Sequence, residues 1–240
     1  MITTDQPTIF NGAVKVAISS RDDGNMKFGL GADAQTLENR KNFLEEVGID
    51  ITQTSLVGIT YATDNFAKYR IATAGDKSVG MLKADMEEYV DALVVQDSKH
   101  ALFLPLADCA GVVLYDPETR VLMVSHIGRH SAEQEGAKKS VAYLKEHFGA
   151  HPKDLLVWIS PSVGSATYPL HAFNDKSLQQ VIIEQLEEAG VPFARIEASS
   201  VDTANDPHYF SHSEYLKGNE TQAGRFAIVA EMTVQGEPAA

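Results

Sequence analysis

The sequence predicts an α+β fold in which helices pack against a mixed sheet, and two observations lead to that expectation. Apolar runs rich in β-branched residues are mixed with segments of helical character along the 240 residues. Two of these runs, residues 111–115 and 121–124, flank Asp116-Pro117-Glu118-Thr119, in which proline at the second position is typical of a type I turn. The two runs are therefore expected to form an antiparallel hairpin. Hairpins mixed with helices indicate an α+β class and not a doubly wound parallel sheet.

The remaining elements are expected in the following order. Residues 13–18 form the first strand and residues 34–47 the first helix, with Asp33 as its cap and Gly48 just beyond its end. Further strands are expected at residues 56–61, 92–95, 101–106, 155–159, 193–196 and 226–231. Further helices are expected at residues 132–148 and 176–189, and a frayed tail at residues 236–240.

Composition and charge limit the domain organisation and the classes of partner. No linker rich in Gly, Ser or Pro and no internal repeat interrupts the chain, so we expect a single globular domain over residues 1–240. The 20 basic and 33 acidic residues give a net charge of −13, which argues against a nucleic-acid partner because such a partner requires a basic face. The first residues do not resemble a signal peptide, and no run of apolar residues is long enough to cross a membrane. We therefore expect a cytoplasmic protein without a membrane partner, and the sequence leaves its oligomeric state open.

The most chemically suggestive residue is Cys109, the single cysteine of the chain, which follows Asp108. Cys109 and His126 stand at equal distances from the predicted turn, so strand pairing is expected to bring thiol and imidazole together. Such a pair is typical either of a metal site or of an activated nucleophile, and the spacing alone does not distinguish the two. A buried Cys109 that acts as a small hydrophobic residue is the alternative to both.

Six motifs occur in order along the chain: Asn39-Arg40, Ala107-Asp108-Cys109, Ser125-His126-Ile127-Gly128, Ile159-Ser160-Pro161-Ser162-Val163-Gly164, Phe210-Ser211 and Gly224-Arg225. Together they resemble the laccase-domain or polyphenol oxidase-like family, also called peptidoglycan editing factor, which includes zinc-dependent purine nucleoside phosphorylases. The resemblance runs from about residue 29 to residue 230. It implies an α/β/β/α layered fold, a cytoplasmic location, and a zinc site of two His and one Cys linked to purine nucleoside phosphorolysis and adenosine deamination.

The resemblance also implies individual site residues, and here the chain is a divergent member. Cys109 and His126 correspond to two of the zinc ligands, and Tyr61 stands where the family has the first histidine ligand. Three further substitutions fall on motifs close to the family's site, and they introduce Arg129 with His130, Asp202, and His212.

These substitutions matter because a catalytic zinc needs three protein ligands and an open position for water. Cys109 and His126 supply two ligands, and the phenol of Tyr61, with an ordinary pKa of about 10, has to ionise before it serves as a third. His130 and His212 are possible replacement third ligands, and Asp202 offers an oxygen. The sequence therefore predicts a zinc site that is altered and weakened.

The expected ligands are a small-molecule nucleoside and phosphate. The resemblance puts Asn39 and Arg40 at the phosphate side of the pocket, and a guanidinium suits oxyanions through its paired donors. Arg129 adds a second positive charge and Tyr61 completes the predicted substrate-binding set, whereas Arg225 is expected to have a structural role.

Three functions remain open from the sequence. The first is a purine nucleoside phosphorylase or adenosine deaminase-type enzyme with an altered metal site at Cys109 and His126. The second is a metal-free thiol hydrolase in which Cys109 is a nucleophile paired with His126 and Asp108. The third is a catalytically impaired protein that keeps the fold and the pocket as a binding site. Metal content distinguishes the first from the other two.

Overall fold

The computed structural model describes residues 1–84 and 86–234, and the predicted tail at residues 236–240 lies outside this part. The strands within the described residues are β1 (Val14–Ile18), β2 (Thr54–Leu56), β3 (Tyr69–Ile71), β4 (Ala92–Val95), β5 (Ala101–Leu106), β6 (Ala110–Asp116), β7 (Val121–Ile127), β8 (Leu156–Ile159), β9 (Ile196–Ala198) and β10 (Phe226–Met232). The α-helices are α1 (Asp33–Glu46), α2 (Arg129–Glu133), α3 (Gly136–Phe148), α4 (Leu178–Glu188) and α5 (His212–Leu216).

The strands form two mixed sheets. The four-stranded sheet has the order β1-β10-β5-β2, and only its β2/β5 pair is parallel. The six-stranded sheet has the order β3-β4-β7-β6-β8-β9, with parallel pairs at its two edges and antiparallel pairs between them. The predicted α+β class with a mixed, largely antiparallel sheet is confirmed.

Successive side chains of a strand point to opposite faces of its sheet, and this alternation produces the layers of the fold. In β5, Leu102 and Leu104 pack between the two sheets, whereas Phe103 packs on the outer face under α1. Val112 and Leu114 of β6 face outward in the same way and contact the helical layer of α3 and α4. The sheets thus pack face to face with helices on both outer sides, which confirms the α/β/β/α arrangement.

Four predicted boundaries were wrong for local reasons. A strand was expected at residues 56–61, but the strand found there, β2, already ends at Leu56. The chain then bends away through residues 61–64. The helix expected at residues 132–148 is divided into α2 and α3 because Glu135 has a left-handed φ of 60°. Residues 193–195 form a short 3-10 turn after Pro192, so the strand expected at 193–196 is β9.

The fourth boundary is the beginning of α1. Asp33 is its first helical residue and does not cap the helix, because its carboxylate accepts the backbone N–H of Gly29 at 2.8 Å. Gly48 follows the end of α1 with φ of 65°, as its position in the sequence predicts. The sequence pattern also missed β3, a short strand at the sheet edge. Among the helices in the two described ranges, none is both long and apolar enough to cross a bilayer.

Candidate functional site

A cavity of about 320 Å³ opens at the end of the β6/β7 hairpin that carries Cys109 and His126. Its volume falls in the range of small-molecule sites. The side chains around it come from segments far apart in the sequence. They include Lys27, Tyr61, Phe66, Asp108, Cys109, His126, Arg129, His130, Tyr168, Leu170, His212, Ser213 and Arg225.

The hairpin register brings Cys109 and His126 to one end of the cavity. Gly111 pairs with His126 and Ala110 with Ile127, so Cys109 comes next to Gly128. A Cβ on Gly128 would lie 2.8 Å from the Cys109 sulfur and 3.5 Å from Cε1 of His126. The sulfur and the imidazole therefore border the same small space, which stays open because residue 128 has no side chain.

Burial sets the protonation of this pair. Burial raises the pKa of the Cys109 thiol to about 11, so the thiol is neutral at pH 7. Burial, and next the charge of Lys27, lower the pKa of His126 to about 4, so the imidazole is neutral as well. Within the described residues, Nδ1 of His126 is buried without a hydrogen-bond partner. The pair is not the thiolate and imidazolium that an activated cysteine nucleophile requires.

Tyr61 is a polar neighbour of the thiol. Its hydroxyl lies 3.9 Å from the Cys109 sulfur, although 60% of the residue is exposed. The neighbouring Cys109, and next burial, raise the pKa of Tyr61 above its ordinary value. Tyr61 therefore carries a neutral phenol at pH 7, and a neutral phenol is a poor metal ligand.

The side chains at this end of the cavity do not fit a three-ligand zinc site. Across residues 1–84 and 86–234, no three or more His, Cys, Asp or Glu side chains are grouped so that they could hold a metal ion. His130, a predicted third ligand, has its Nε2 3.2 Å from the Arg129 guanidinium, and its ring stacks on Phe66 at 4.7 Å. His212, the other predicted ligand, is the first residue of α5 and lines the cavity. Cys109 and His126 thus remain two donors without a third.

Asp202, which replaces a family cysteine, is also not available as a ligand. Its Oδ1 accepts the backbone N–H groups of Gly164 and Ala204, and its Oδ2 accepts the side-chain amide of Asn205. The carboxylate therefore stabilises the loop at residues 202–205 and ties it to the segment at Gly164.

Asp108 has a different position from the one predicted. Its Oδ1 accepts the hydroxyl of Thr203 at 3.0 Å, and its Oδ2 accepts the backbone N–H of Ser213 at 2.6 Å. Its carbonyl accepts the N–H of Val163 at 2.9 Å, and its φ of 76° is left-handed. Asp108 thus joins three segments around the cavity. It makes no hydrogen bond to His126, so the predicted Cys109, His126 and Asp108 pairing is not formed.

Arg40 and Asn39 are also not where the sequence predicts. Arg40 is only 1% exposed, because its Nε and Nη1 donate to the carbonyls of Met26, Gly80 and Met81. It borders a smaller cavity of about 110 Å³ that shares Lys27 with the one that contains Cys109, and it does not line that larger cavity itself. The amide of Asn39 donates to the carbonyl of Asn25 at 3.0 Å. Both side chains therefore hold the backbone of residues 25–26 in place, which is a correction to their expected place beside the substrate.

Sequence reasoning missed Lys27. It gave Arg225 only a structural role, which the backbone hydrogen bonds of Arg225 to Asn25 and Met26 support. The side chains of Lys27 and Arg225 also line the cavity, as does the exposed Arg129 predicted for the anion. The Gly224-Arg225 motif was a sequence signal that could have indicated Arg225 as a cavity residue. No local pattern distinguishes Lys27 from other lysines.

Comparisons with known proteins agree with the fold. A family model described as "Multi-copper polyphenol oxidoreductase laccase" matches residues 14–176. A protein of Bacteroides thetaiotaomicron named purine nucleoside phosphorylase is 19% identical over 198 residues, which cover 82% of this chain and 68% of that protein. The crystal structure of the hypothetical protein YfiH from Bacillus licheniformis has a TM-score of 0.83 at 20% identity and covers 93% of this chain and 94% of its own. YlmD from Geobacillus stearothermophilus has a TM-score of 0.81 at 18% identity, with 95% and 94% covered.

Proposed function

The chain belongs to the multi-copper polyphenol oxidoreductase laccase family, and on that basis we propose that its cavity binds a purine nucleoside while its chemistry is impaired. The observation that carries the proposal is the neutral Tyr61 phenol beside Cys109, in a cavity that is otherwise large enough for a small ligand. The name of the Bacteroides thetaiotaomicron relative supports purine nucleosides as the ligand class.

An aromatic wall supports binding of a base. The rings of Phe66 and His130 are stacked at 4.7 Å with an interplanar angle of 22°, and Tyr61 packs against Phe66 at 6.3 Å. Tyr168 and Leu170 add aromatic and apolar surface elsewhere in the cavity. A purine ring gains from such surfaces through stacking and apolar burial.

Apart from Asp108, whose carboxylate accepts hydrogen bonds from Thr203 and Ser213, the polar groups that act on the ligand are neutral or cationic. The neutral His126 imidazole and Cys109 thiol are suited to hydrogen bonding, because neither carries a charge at pH 7. Lys27, Arg129 and Arg225 supply positive charge, which suits the electronegative groups of a nucleoside or an accompanying anion. This set binds and orients a ligand, and it does not include an activated nucleophile.

The proposal is tested by thermal shift and turnover on the full chain. Adenosine and inosine should raise the melting temperature, and the pyrimidine nucleoside cytidine should raise it less. Phe66→Ala should remove the purine effect, whereas Phe193→Ala, at a site that is 64% exposed and outside the cavity, should not. Chromatography of adenosine incubated with phosphate should show little free base or inosine. Absence of any purine effect would contradict the binding function, and rapid conversion would contradict impaired chemistry.

A second candidate is a purine nucleoside phosphorylase or adenosine deaminase-type enzyme with a recruited metal ligand. The observation in its favour is that His130 and His212 line the same cavity as Cys109 and His126. This function requires one of the two imidazoles to move toward the sulfur. It predicts zinc-dependent conversion of adenosine that is lost in His212→Ala or His130→Ala.

A further inference from the structure

Lys27 and Arg225 are two half-buried cations on one cavity. Both line the space that contains Cys109 and His126. Within residues 1–84 and 86–234, neither forms an ion pair with a carboxylate. Among the residues that the structure describes, the Arg225 guanidinium makes one hydrogen bond, from Nη1 to the carbonyl of Gly224 at 2.7 Å. Two cations brought together without an anion are unfavourable, since like charges repel and burial removes hydration.

The fold nevertheless holds these two residues side by side. Oδ1 of Asn25 accepts the backbone N–H of Lys27 at 3.1 Å and that of Arg225 at 3.0 Å. The N–H of Met26 donates to the carbonyl of Arg225 at 2.9 Å. One amide side chain therefore fixes the spacing of the backbones of two residues that are 198 positions apart in the sequence.

A further layer supports Asn25 itself. Its Nδ2 donates to the carbonyl of Lys27 at 2.7 Å, and its carbonyl accepts the amide of Asn39 at 3.0 Å. Arg40 holds the carbonyl of the next residue, Met26. The Asn39-Arg40 motif thus acts at a distance from the cavity as a positioning element for Lys27.

One carboxylate in the described part of the chain, that of Asp108, also lines the cavity, but it forms no ion pair with Lys27 or Arg225. Asp108 interacts electrostatically with Arg225, but both of its oxygens already accept hydrogen bonds from Thr203 and Ser213. Burial, and next the charge of Arg225, lower the pKa of Lys27, which is consistent with a positive local potential. A site in this state gains from an anion, because a bound oxyanion supplies the missing charge and accepts the unused donors.

We propose that Lys27 and Arg225 form an oxyanion subsite for a phosphate group, which is either inorganic phosphate or the phosphate of a purine nucleotide. The inference rests on the proposed function for the identity of the neighbouring ligand, and it assigns the anion to residues other than Arg40. A guanidinium offers two parallel donors to such a group, and an ammonium offers a compact charge beside it.

Titration calorimetry with inorganic phosphate at constant ionic strength tests the subsite. Lys27→Met and Arg225→Met should each weaken phosphate binding by roughly tenfold to a hundredfold, the usual effect of losing a hydrogen bond to a charged group. Lys41→Met, at an exposed position on α1 outside the cavity, is the matched control and should bind as the wild type does. Lys27→Arg keeps the positive charge and should keep most of the phosphate affinity. If Lys27→Arg and Lys27→Met both melt cooperatively, the loss of binding in Lys27→Met is caused by the lost charge and not by misfolding.

Two further arms separate the sources of the phosphate group. If adenosine and inorganic phosphate bind together, the subsite takes free phosphate. If adenosine 5′-monophosphate binds more tightly than adenosine, and Arg225→Met removes the difference, the subsite takes the nucleotide phosphate. Absence of phosphate and nucleotide binding, or unchanged affinity in both Met variants, overturns the inference. Adenosine binding without phosphate binding overturns the subsite alone, whereas phosphate binding without nucleoside binding overturns the proposed function alone.

Discussion

The hydroxyl of Tyr61 lies 3.9 Å from the sulfur of Cys109, at the end of the cavity where His126 also lies. The motif resemblance puts a histidine ligand at the position of Tyr61, so one substitution changes the donor set around the thiol. Cys109 and His126 supply two ligands, and the neutral Tyr61 phenol is a poor third, so this donor set does not match a three-ligand zinc site. The predictions below follow from this arrangement and from the buried groups around it.

The first prediction concerns zinc affinity. Wild-type protein should lose zinc during dialysis, because Cys109 and His126 supply two ligands and a neutral phenol is a poor third. Tyr61→His should retain zinc more tightly, since an imidazole would then stand beside Cys109 and His126. Elemental analysis after dialysis measures the difference, and Tyr61→Phe is the control that should not gain zinc. Stoichiometric zinc retained by the wild type would show that another side chain completes the site.

The second prediction concerns thiol reactivity. Because burial raises the pKa of Cys109 to about 11, alkylation by iodoacetamide should be slow at pH 7 and should increase as the pH rises towards 11. Mass spectrometry of the intact chain gives the rate directly, because the sequence contains one cysteine. Arg225→Met should slow the reaction further, since the Arg225 charge favours the thiolate. Rapid alkylation at pH 7 would revive the thiol hydrolase hypothesis.

The third prediction concerns stability at acidic pH in metal-free buffer. The folded-state pKa of His126 is lowered to about 4, so the unfolded chain takes up a proton first as the pH falls below about 6.5. The stability linked to the neutral imidazole is therefore complete above that pH and is lost as the pH falls towards 4. Urea unfolding at pH 7 and pH 5 should differ by about 1–2 kcal/mol more in wild type than in His126→Gln. Equal pH dependence in both proteins would show that the His126 pKa is not lowered.

The fourth prediction concerns Arg40. Arg40→Met should lower the free energy of unfolding by about 3 kcal/mol, because the buried carbonyls of Met26, Gly80 and Met81 lose their donors. Arg40→Lys should recover only part of the loss, since an ammonium cannot reproduce the guanidinium geometry. Urea unfolding measures both. A change below about 0.5 kcal/mol, which is typical of surface substitutions, would contradict the structural role of Arg40.

Local sequence patterns were sufficient to predict the β6/β7 hairpin and to predict that Cys109 and His126 lie close together. The turn at Pro117 and the alternation of its flanking strands fix the register, and register determines which side chains meet. The layered arrangement was implied by the family resemblance and agrees with the outward Phe103 and inward Leu104 of β5.

The rest of the cavity could not be predicted in this way because it depends on contacts between distant segments. Lys27 and Arg225 meet through Asn25 beside the start of β10, and no periodicity encodes that pairing. Arg40 has the sequence context of an exposed helical residue, yet the loop that contains Met26 covers it. Asp108 was assigned to catalysis because it adjoins Cys109, but consecutive residues at a left-handed φ point in different directions.

The most direct test of purine nucleoside binding without the complete zinc site is calorimetric titration of adenosine into the metal-depleted full chain. This account predicts a saturable one-to-one heat, because the rings of Tyr61, Phe66 and His130 that form the aromatic wall contact one another directly. Phe66→Ala should lose that heat, and chelator should not affect it in the wild type. Absence of heat in the metal-depleted chain, with binding restored by zinc, would contradict this account and would favour a metal-dependent enzyme.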